Sequence, residues 1–356
     1  MATQETGAHE EYYVPDSSGM AISATIGLVL TIFGAANMLN DMTFGEPGAA
    51  SNSSTIFYVG LAWLIATLFV WFRSSVRENI AGLNSAQLKN SYVLGMFWFI
   101  FSEVMFFFAF FGALFYVRVL VGPWLAGEGE AGAMNHLLWA GYDFSWPMMQ
   151  TPQEAVGGAL AQPIANNGEF ISPGTSMAFS EVEKWFHWLP MWNTLVLLSS
   201  SVTVHIAHLG LLQGNRKQFN VWLGITVALA CFFLFLQYAE YYEAYAHFGL
   251  TLNSGIYGST FFMLTGFHGF HVAMGMTMLF IQWWRSVRHG HFTADDHFGF
   301  EASSWYWHFV DVVWVALFLF VYILYTTRAY VGRRTRAATK PVTESRPLCL
   351  AAFFMC

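Results

Sequence analysis

Long apolar runs, separated by shorter polar connectors, dominate the chain. Seven of them are long enough to cross the roughly 30 Å hydrocarbon core of a bilayer at about 1.5 Å of helical rise per residue. The pattern therefore predicts an all-α membrane protein with seven transmembrane helices. The predicted spans are 19–38, 56–72, 91–122, 190–212, 219–238, 256–284 and 303–326.

The polar segments divide the chain into regions. We predict an N-terminal tail (1–18), helices one and two (19–72), helix three (91–122), an extramembrane insertion (123–189), helices four to seven (190–326) and a C-terminal tail (327–356). The insertion carries seven acidic residues and one lysine, whereas the connectors after spans two, four and six are basic. By the positive-inside rule this pattern predicts a cytoplasmic N-terminus. The arginine-rich C-terminal tail does not fit, because an odd number of spans places it outside.

Composition narrows the class of protein further. Hydrophobic residues make up 56% of the chain and charged residues 10%, which excludes an ordinary soluble domain. The net charge of −7 argues against a nucleic-acid partner. The first twenty residues lack a basic region followed by an apolar core, so we predict no cleavable signal peptide.

Glu103 is an ionisable residue near the middle of span three. An acidic residue there costs about 2.5–3.5 kcal/mol on insertion scales, so we expect it to face protein, water or a partner. One interpretation is a proton-exchanging carboxylate, and the other is a protonated glutamate that hydrogen-bonds for packing alone. We expect Glu103 to be protonated at neutral pH because no cation lies within a turn along its helix.

Two histidine pairs with three-residue spacing lie inside predicted spans: His205 with His208, and His268 with His271. Paired histidines on facing helices are able to hold haem or a transition metal. In an apolar bundle, however, histidines commonly hydrogen-bond a neighbouring helix. We favour that second interpretation and predict no metal site and no catalytic residue in this chain.

Two further acids and an aromatic cluster lie near predicted helix ends. Glu240 and Glu243 are three residues apart, and we expect a solvated helix end there rather than a cation-binding pair. Asp311 is a second intramembrane acid, which we expect to pair with His308. The segment 305–308, Trp-Tyr-Trp-His, has the composition of an interfacial aromatic belt.

Charged residues gather on the predicted cytoplasmic side. Basic side chains near helix ends can hold anionic lipid head groups, and the alternative is that each simply snorkels to the interface. The candidate lipid-binding residues are Arg73, Arg77, Glu78, Arg285, Arg288 and His291.

Several strings together resemble one family. FIFSEVMFF, MWNTLVLLSSSVTVHIAH, EYYEA, YGSTFFMLTGFHGFHV and HFGFEASSWYWHFVDVVW are similar, in this order, to subunit III of haem-copper cytochrome c oxidase. The insertion is longer than in compact members and resembles some bacterial versions. The arginine-rich tail lies outside the family pattern. The presence of spans one and two favours the cytochrome c oxidase branch over the shorter quinol oxidase subunit.

The resemblance implies a two-helix and a five-helix bundle around a V-shaped cleft that holds structural phospholipids. It implies no haem or copper in this chain, and packing with the haem-copper subunit I and with subunit II. That complex passes electrons from cytochrome c to O2 and translocates protons across a bacterial inner membrane. Subunit III would support proton uptake and protect the catalytic subunit from inactivation. Glu103 matches the family's carbodiimide-reactive carboxylate, and the candidate lipid-binding residues match its lipid-contacting helix ends.

Two other functions fit some of the residues. A proton-coupled secondary transporter would explain Glu103 and Asp311, but it should show inverted repeats and interrupted helices, and the sequence has no such matched pair. A haem-carrying membrane electron carrier would explain the histidine pairs. Co-purification with a large haem-copper subunit would distinguish subunit III from both.

Overall fold

A computed structural model describes residues 13–14, 17–44, 52–148, 151–157, 188–246, 249–252, 254–294 and 296–324. Within these residues the protein is helical and contains no strand. Seven helices are long and apolar enough to cross a membrane, which confirms the predicted class and number of spans. We number them α1 (Met20–Phe44), α2 (Ser53–Ile80), α3 (Ala86–Phe115), α4 (Leu189–Leu212), α5 (Arg216–Ala246), α6 (Gly255–His289) and α7 (Phe298–Leu317).

Most helices extend beyond the predicted spans. α2 continues eight residues past position 72 to Ile80, and α5 continues past position 238 to Ala246. An apolar run marks the part of a helix that lies in hydrocarbon, whereas backbone hydrogen bonding continues into the polar flanks. Hydropathy therefore predicted the membrane crossings but underestimated the lengths of the helices.

The chain divides into two compact units, Met1–Trp98 and Phe99–Cys356. The division falls inside α3 and not between helices two and three. In the first unit, α1 and α2 form an antiparallel pair with glycines at the contact, because small residues let two helix backbones approach closely. A Cβ atom on Gly34 would lie 2.4 Å from the backbone nitrogen of Phe57, and one on Gly60 would lie 2.5 Å from that of Thr31.

In the second unit, α7 packs against α4 and α6, and α5 packs against α4 and α6. Trp307 and Trp314 of α7 are both 0% exposed. Their indole nitrogens donate hydrogen bonds to the hydroxyls of Ser200 and Thr194 respectively, each at 3.0 Å. The predicted aromatic belt is therefore wrong for Trp307, whose indole finds its polar partner inside the bundle and not at the membrane interface.

Two helices in the second unit change to π-helical geometry near one end. α3 continues as the π-helix Tyr116–Val121 and then as Gly122–Leu125, while α7 continues as the π-helix Phe318–Ile323. Arg118 of the first segment donates a hydrogen bond through Nη2 to the carbonyl of Leu324 at 2.9 Å. The two π-helical segments therefore lie at the same end of this unit.

The described part of the predicted insertion is built from single turns. They are Glu130–Gly132, Asn135–Leu138 and Pro152–Ala155, the last begun by a capping box between Thr151 and Glu154. The rest of the insertion from 158 to 187, and the predicted tail 327–356, lie outside the described residues.

Candidate functional site

Glu103 of α3 faces α6, where it meets His271. The Nε2 atom of His271 lies 2.9 Å from Oε2 of Glu103, which is hydrogen-bond distance. The other ring nitrogen, Nδ1, lies 2.6 Å from the backbone carbonyl oxygen of Phe267, one turn earlier on α6. The imidazole is thus held at both nitrogens, and Glu103 meets a base that its own helix does not provide.

These contacts determine which atoms of His271 and Glu103 can carry protons. A carbonyl oxygen only accepts, so Nδ1 of His271 must carry a hydrogen and donate it to Phe267. The contact between Nε2 and Oε2 needs one more proton. Either the carboxyl group of Glu103 donates to a bare Nε2, or a protonated imidazole donates to the carboxylate. In both cases the pair is neutral overall and holds one proton that either residue is able to carry.

Aromatic rings surround the pair. Around His271, Phe107 lies edge-on with its centroid 5.0 Å away, and Tyr306 of α7 stacks at 6.3 Å. The His271 side chain is 8% exposed and that of Glu103 is 22% exposed. Low local dielectric strengthens the bond between them and penalises separated charges. The site is therefore suited to exchanging a proton while staying neutral.

His268 points to a different helix from His271. Its Nε2 atom lies 3.2 Å from the carbonyl oxygen of Val310 on α7, so it must donate a hydrogen there, and its ring packs against Trp314. His268 and His271 therefore form hydrogen bonds to two different helices, as the second interpretation of the histidine pairs predicted. Asp311 lies 3.5 Å from Nδ1 of His308, which confirms the expected pairing.

The structure groups His208 with residues that the sequence pattern did not join to it. His297 and Glu301 lie one turn apart where α7 begins, and donor atoms of the three residues all lie within 4.8 Å of one another. Neither Nε2 atom of the two histidines has a hydrogen-bond partner among the described residues. Two imidazoles and a carboxylate are ligand types that suit a divalent transition metal. Of the sequence pair His205 and His208, His208 belongs to this group of candidate metal ligands, and His205 lies outside it.

Glu240 does not lie at a solvated helix end, so that expectation is wrong. Its side chain is 0% exposed, because Asn193 of α4 and Tyr322 of the π-helical segment cover it and donate hydrogen bonds to its two oxygens. Glu243, one turn later, is partly exposed. Sequence reasoning missed this cluster because its members come from three distant segments.

The end of α6 holds one half of the candidate lipid-binding residues. The guanidinium of Arg285 lies over the ring of Phe292, 4.8 Å from its centroid, and donates to Gln282 Oε1 at 3.0 Å. Burial, followed by the positive charge of Arg285 and the nearby His289, lowers the pKa of His291. This end of the unit thus combines positive potential with partly buried polar groups.

The other half lies at the end of α2, in the first unit. Arg73 and Arg77 are both exposed, Glu78 is partly exposed, and Ser74 donates a hydrogen bond to Oε1 of Glu78 at 3.4 Å. The three charged residues lie within two turns of the helix, and Arg77 occupies its last turn. This places cations where the negative end of the helix dipole favours them.

Comparison with known proteins supports one assignment. The protein family described as "Cytochrome c oxidase subunit III" matches residues 10–127 and 163–326. The protein named cytochrome c oxidase subunit 3 of Gazella leptoceros is 36% identical over 272 residues, covering 76% of this chain and 84% of that relative. Its namesake in Neotragus moschatus is 37% identical over the same length. These matches lend no support to a transporter or an electron carrier, and they span nearly all of the described helices. The chain belongs to the cytochrome c oxidase subunit III family.

Proposed function

We propose that this chain is the non-catalytic subunit III of a proton-pumping cytochrome c oxidase in an aerobic respiratory chain. Its place is beside the haem-copper subunit I and subunit II, which hold the redox centres. The family match over both parts of the chain supports this, and the family implies no cofactor of the chain's own. In this proposal, electron transfer takes place in the partner subunits and not in this chain.

The pair of Glu103 and His271 carries the proposed contribution to proton uptake. A carboxyl group bonded to an imidazole at 2.9 Å, inside a shell of aromatic rings, exchanges one proton between two sites of the same total charge. The transfer converts a neutral pair into an adjacent ion pair, so no isolated charge has to form in the apolar surroundings. Proton exchange with the catalytic subunit or with bound lipid would take place at the exposed side of Glu103.

We propose that phospholipid head groups bind at two helix ends. Arg73, Arg77 and Glu78 offer charged groups at the end of α2, and Arg285, Arg288 and His291 do so at the end of α6 and just beyond it. Arg285 supports the proposal best, because its Nε atom is buried without a hydrogen-bond partner among the described residues. A phosphate oxygen is the kind of acceptor that a guanidinium binds strongly.

The proposed location is a bacterial inner membrane, with the N-terminus in the cytoplasm. The basic connectors after spans two, four and six support this orientation. The 123–189 insertion then lies on the outer side.

The test compares the purified oxidase with and without this chain. If the redox centres belong to the partners, the depleted enzyme should keep its haem content and its initial rate in mildly acidic buffer. It should slow disproportionately as pH rises and lose activity irreversibly over many turnovers, because proton delivery suffers. Surface electrostatics also predict a salt-sensitive difference. Immediate loss of haem and activity would contradict a non-redox role, and equal profiles would contradict a role in proton uptake.

A further inference from the structure

Glu240 is buried as completely as the core tryptophans although it is an acid. Tyr322 donates a hydrogen bond to Oε1 at 2.5 Å, and Asn193 donates through Nδ2 to Oε2 at 3.0 Å. Both donors are neutral. Among the described residues, no lysine, arginine or histidine forms an ion pair with Glu240 within 4.0 Å.

The π-helical segment of α7 brings Tyr322 to this position. A π-turn inserts one extra residue into a helix and rotates the following side chains, and such turns are frequent at functional sites. Tyr322 is itself 3% exposed, and its ring packs 5.9 Å from that of Phe261 on α6. The tyrosine hydroxyl therefore has little freedom to leave Glu240.

Nearby amide groups offer further polar atoms. The Oδ1 atom of Asn193 is buried and has no hydrogen-bond partner among the described residues, and the same holds for Oε1 and Nε2 of Gln237. Gln237 lies one turn before Glu240 on the same face of α5. A protonated Glu240 carries one hydrogen that needs an acceptor, and these two amide oxygens are unused acceptors in its vicinity.

An isolated carboxylate in a low-dielectric interior is very costly, whereas the neutral acid is not. Two hydrogen bonds from neutral donors offset only part of that cost. We propose that Glu240 is a proton-binding site, separate from the Glu103 pair, which Tyr322 and Asn193 hold within the helix bundle. The site binds a proton, which converts the carboxylate into a carboxylic acid. Glu240 is then the inner end of a short path along which that proton arrives from the surface.

Glu243 marks the outer end of that path. It lies one turn beyond Glu240 towards the end of α5 at Ala246 and is partly exposed. Among the described residues, the other titratable groups around Glu240 are Tyr241 of α5 and Tyr322 of α7, with Tyr257 of α6 beside Tyr322. None of these tyrosines is a cation, so a proton is the charge that balances Glu240. Glu243 can receive it from the surface and pass it on.

Infrared difference spectroscopy on the whole oxidase complex tests the proposal. The wild-type minus Glu240→Gln spectrum at neutral pH should contain one protonated-carboxyl stretch, and the band should remain when Glu103 is already replaced by glutamine. Tyr322→Phe removes one hydrogen bond to the acid, so it should shift the band to higher frequency without abolishing it. This second variant keeps Glu240 and remains informative if Glu240→Gln does not assemble.

Hydrogen–deuterium exchange of the same band tests the path. Glu243→Gln should slow its shift in D2O severalfold, whereas the matched variant Glu128→Gln, at an exposed residue of the second unit, should leave the exchange rate unchanged. Carboxylate stretches in place of the carboxyl band would overturn the proposal. Their dependence on added sodium would instead identify a bound cation. Exchange that is equally fast in Glu243→Gln would refute the path through that residue.

Discussion

His271 Nε2 and Glu103 Oε2 lie 2.9 Å apart, although 168 residues separate them along the chain. Because Nδ1 of the imidazole is bonded to the Phe267 carbonyl, one proton serves both side chains. Glu103 is thus half of an acid–base pair. Removal of the imidazole should leave the shared proton on Glu103.

We expect His271→Leu to leave Glu103 as a neutral carboxylic acid, because the variant removes its base and leaves it among aromatic rings. Infrared spectra of the complex should then show a protonated-carboxyl stretch that is lost when Glu103→Gln is added. His205→Leu is the matched control, since that histidine is exposed on α4, and it should not change the spectrum. An ionised Glu103 in His271→Leu would contradict this account.

Ser200→Ala should destabilise the second unit. The change leaves the indole nitrogen of Trp307 buried without an acceptor, which costs about 1–3 kcal/mol. Ser199→Ala removes a hydroxyl that only bonds the Leu195 carbonyl of its own helix on an exposed face, and it should be nearly neutral. Thermal unfolding in detergent measures both, and similar shifts in the two variants would refute the role of the Trp307 hydrogen bond.

Gly60→Ala should loosen the contact between α1 and α2. Its new methyl group would lie 2.5 Å from the backbone nitrogen of Thr31, so a helix must move. Overpacking of this kind costs about 1–3 kcal/mol. A Cβ on Gly95 meets nothing within 4 Å, so Gly95→Ala is the control and should leave the unfolding temperature unchanged or slightly raised. The same loss in both variants would contradict a specific effect of the contact between α1 and α2.

Lipid retention distinguishes head-group binding from snorkelling. Arg285→Ala should lower the amount of anionic phospholipid per purified complex, because a partly buried guanidinium holds a phosphate more firmly than an exposed ammonium does. Arg73→Ala makes the same test at the end of α2. Lys217→Ala removes one exposed positive charge at the start of α5 and should change lipid content least. Mass spectrometry of extracted lipid gives the comparison, and unchanged content in all three favours snorkelling.

The pKa of His291 should rise in Arg285→Gln, because a positive neighbour that disfavours the imidazolium is removed. In the wild type the folded-state pKa lies below the ordinary value of 6.5. The unfolded chain therefore takes up the proton first, and the contribution of His291 to stability is present above that value and lost as pH falls. Carbethoxylation rate against pH, followed by peptide mass spectrometry, measures the pKa. Arg288→Gln, at an exposed residue, should shift it less, and equal shifts would contradict a specific effect of Arg285.

The sequence alone was sufficient for the class, the seven crossings and the family. Crossing a bilayer requires about twenty apolar residues in one helix, and such a run of consecutive residues can be recognised directly in the sequence. The family strings are likewise local. Asp311 and His308 could be paired for the same reason, since three residues on a helix place two side chains on one face.

Only the tertiary structure decided which way the side chains face. In a soluble helix, polar residues mark the outside, but lipid tails are as apolar as a leucine core, so hydropathy hardly distinguishes the two faces of these helices. This is why the sequence predicted Trp307 at the membrane interface and Glu240 in solvent, whereas both are buried. The partners of Glu103, Glu240 and His208 come from distant helices. Their contacts depend on how the helices pack, which no local pattern in an apolar chain encodes.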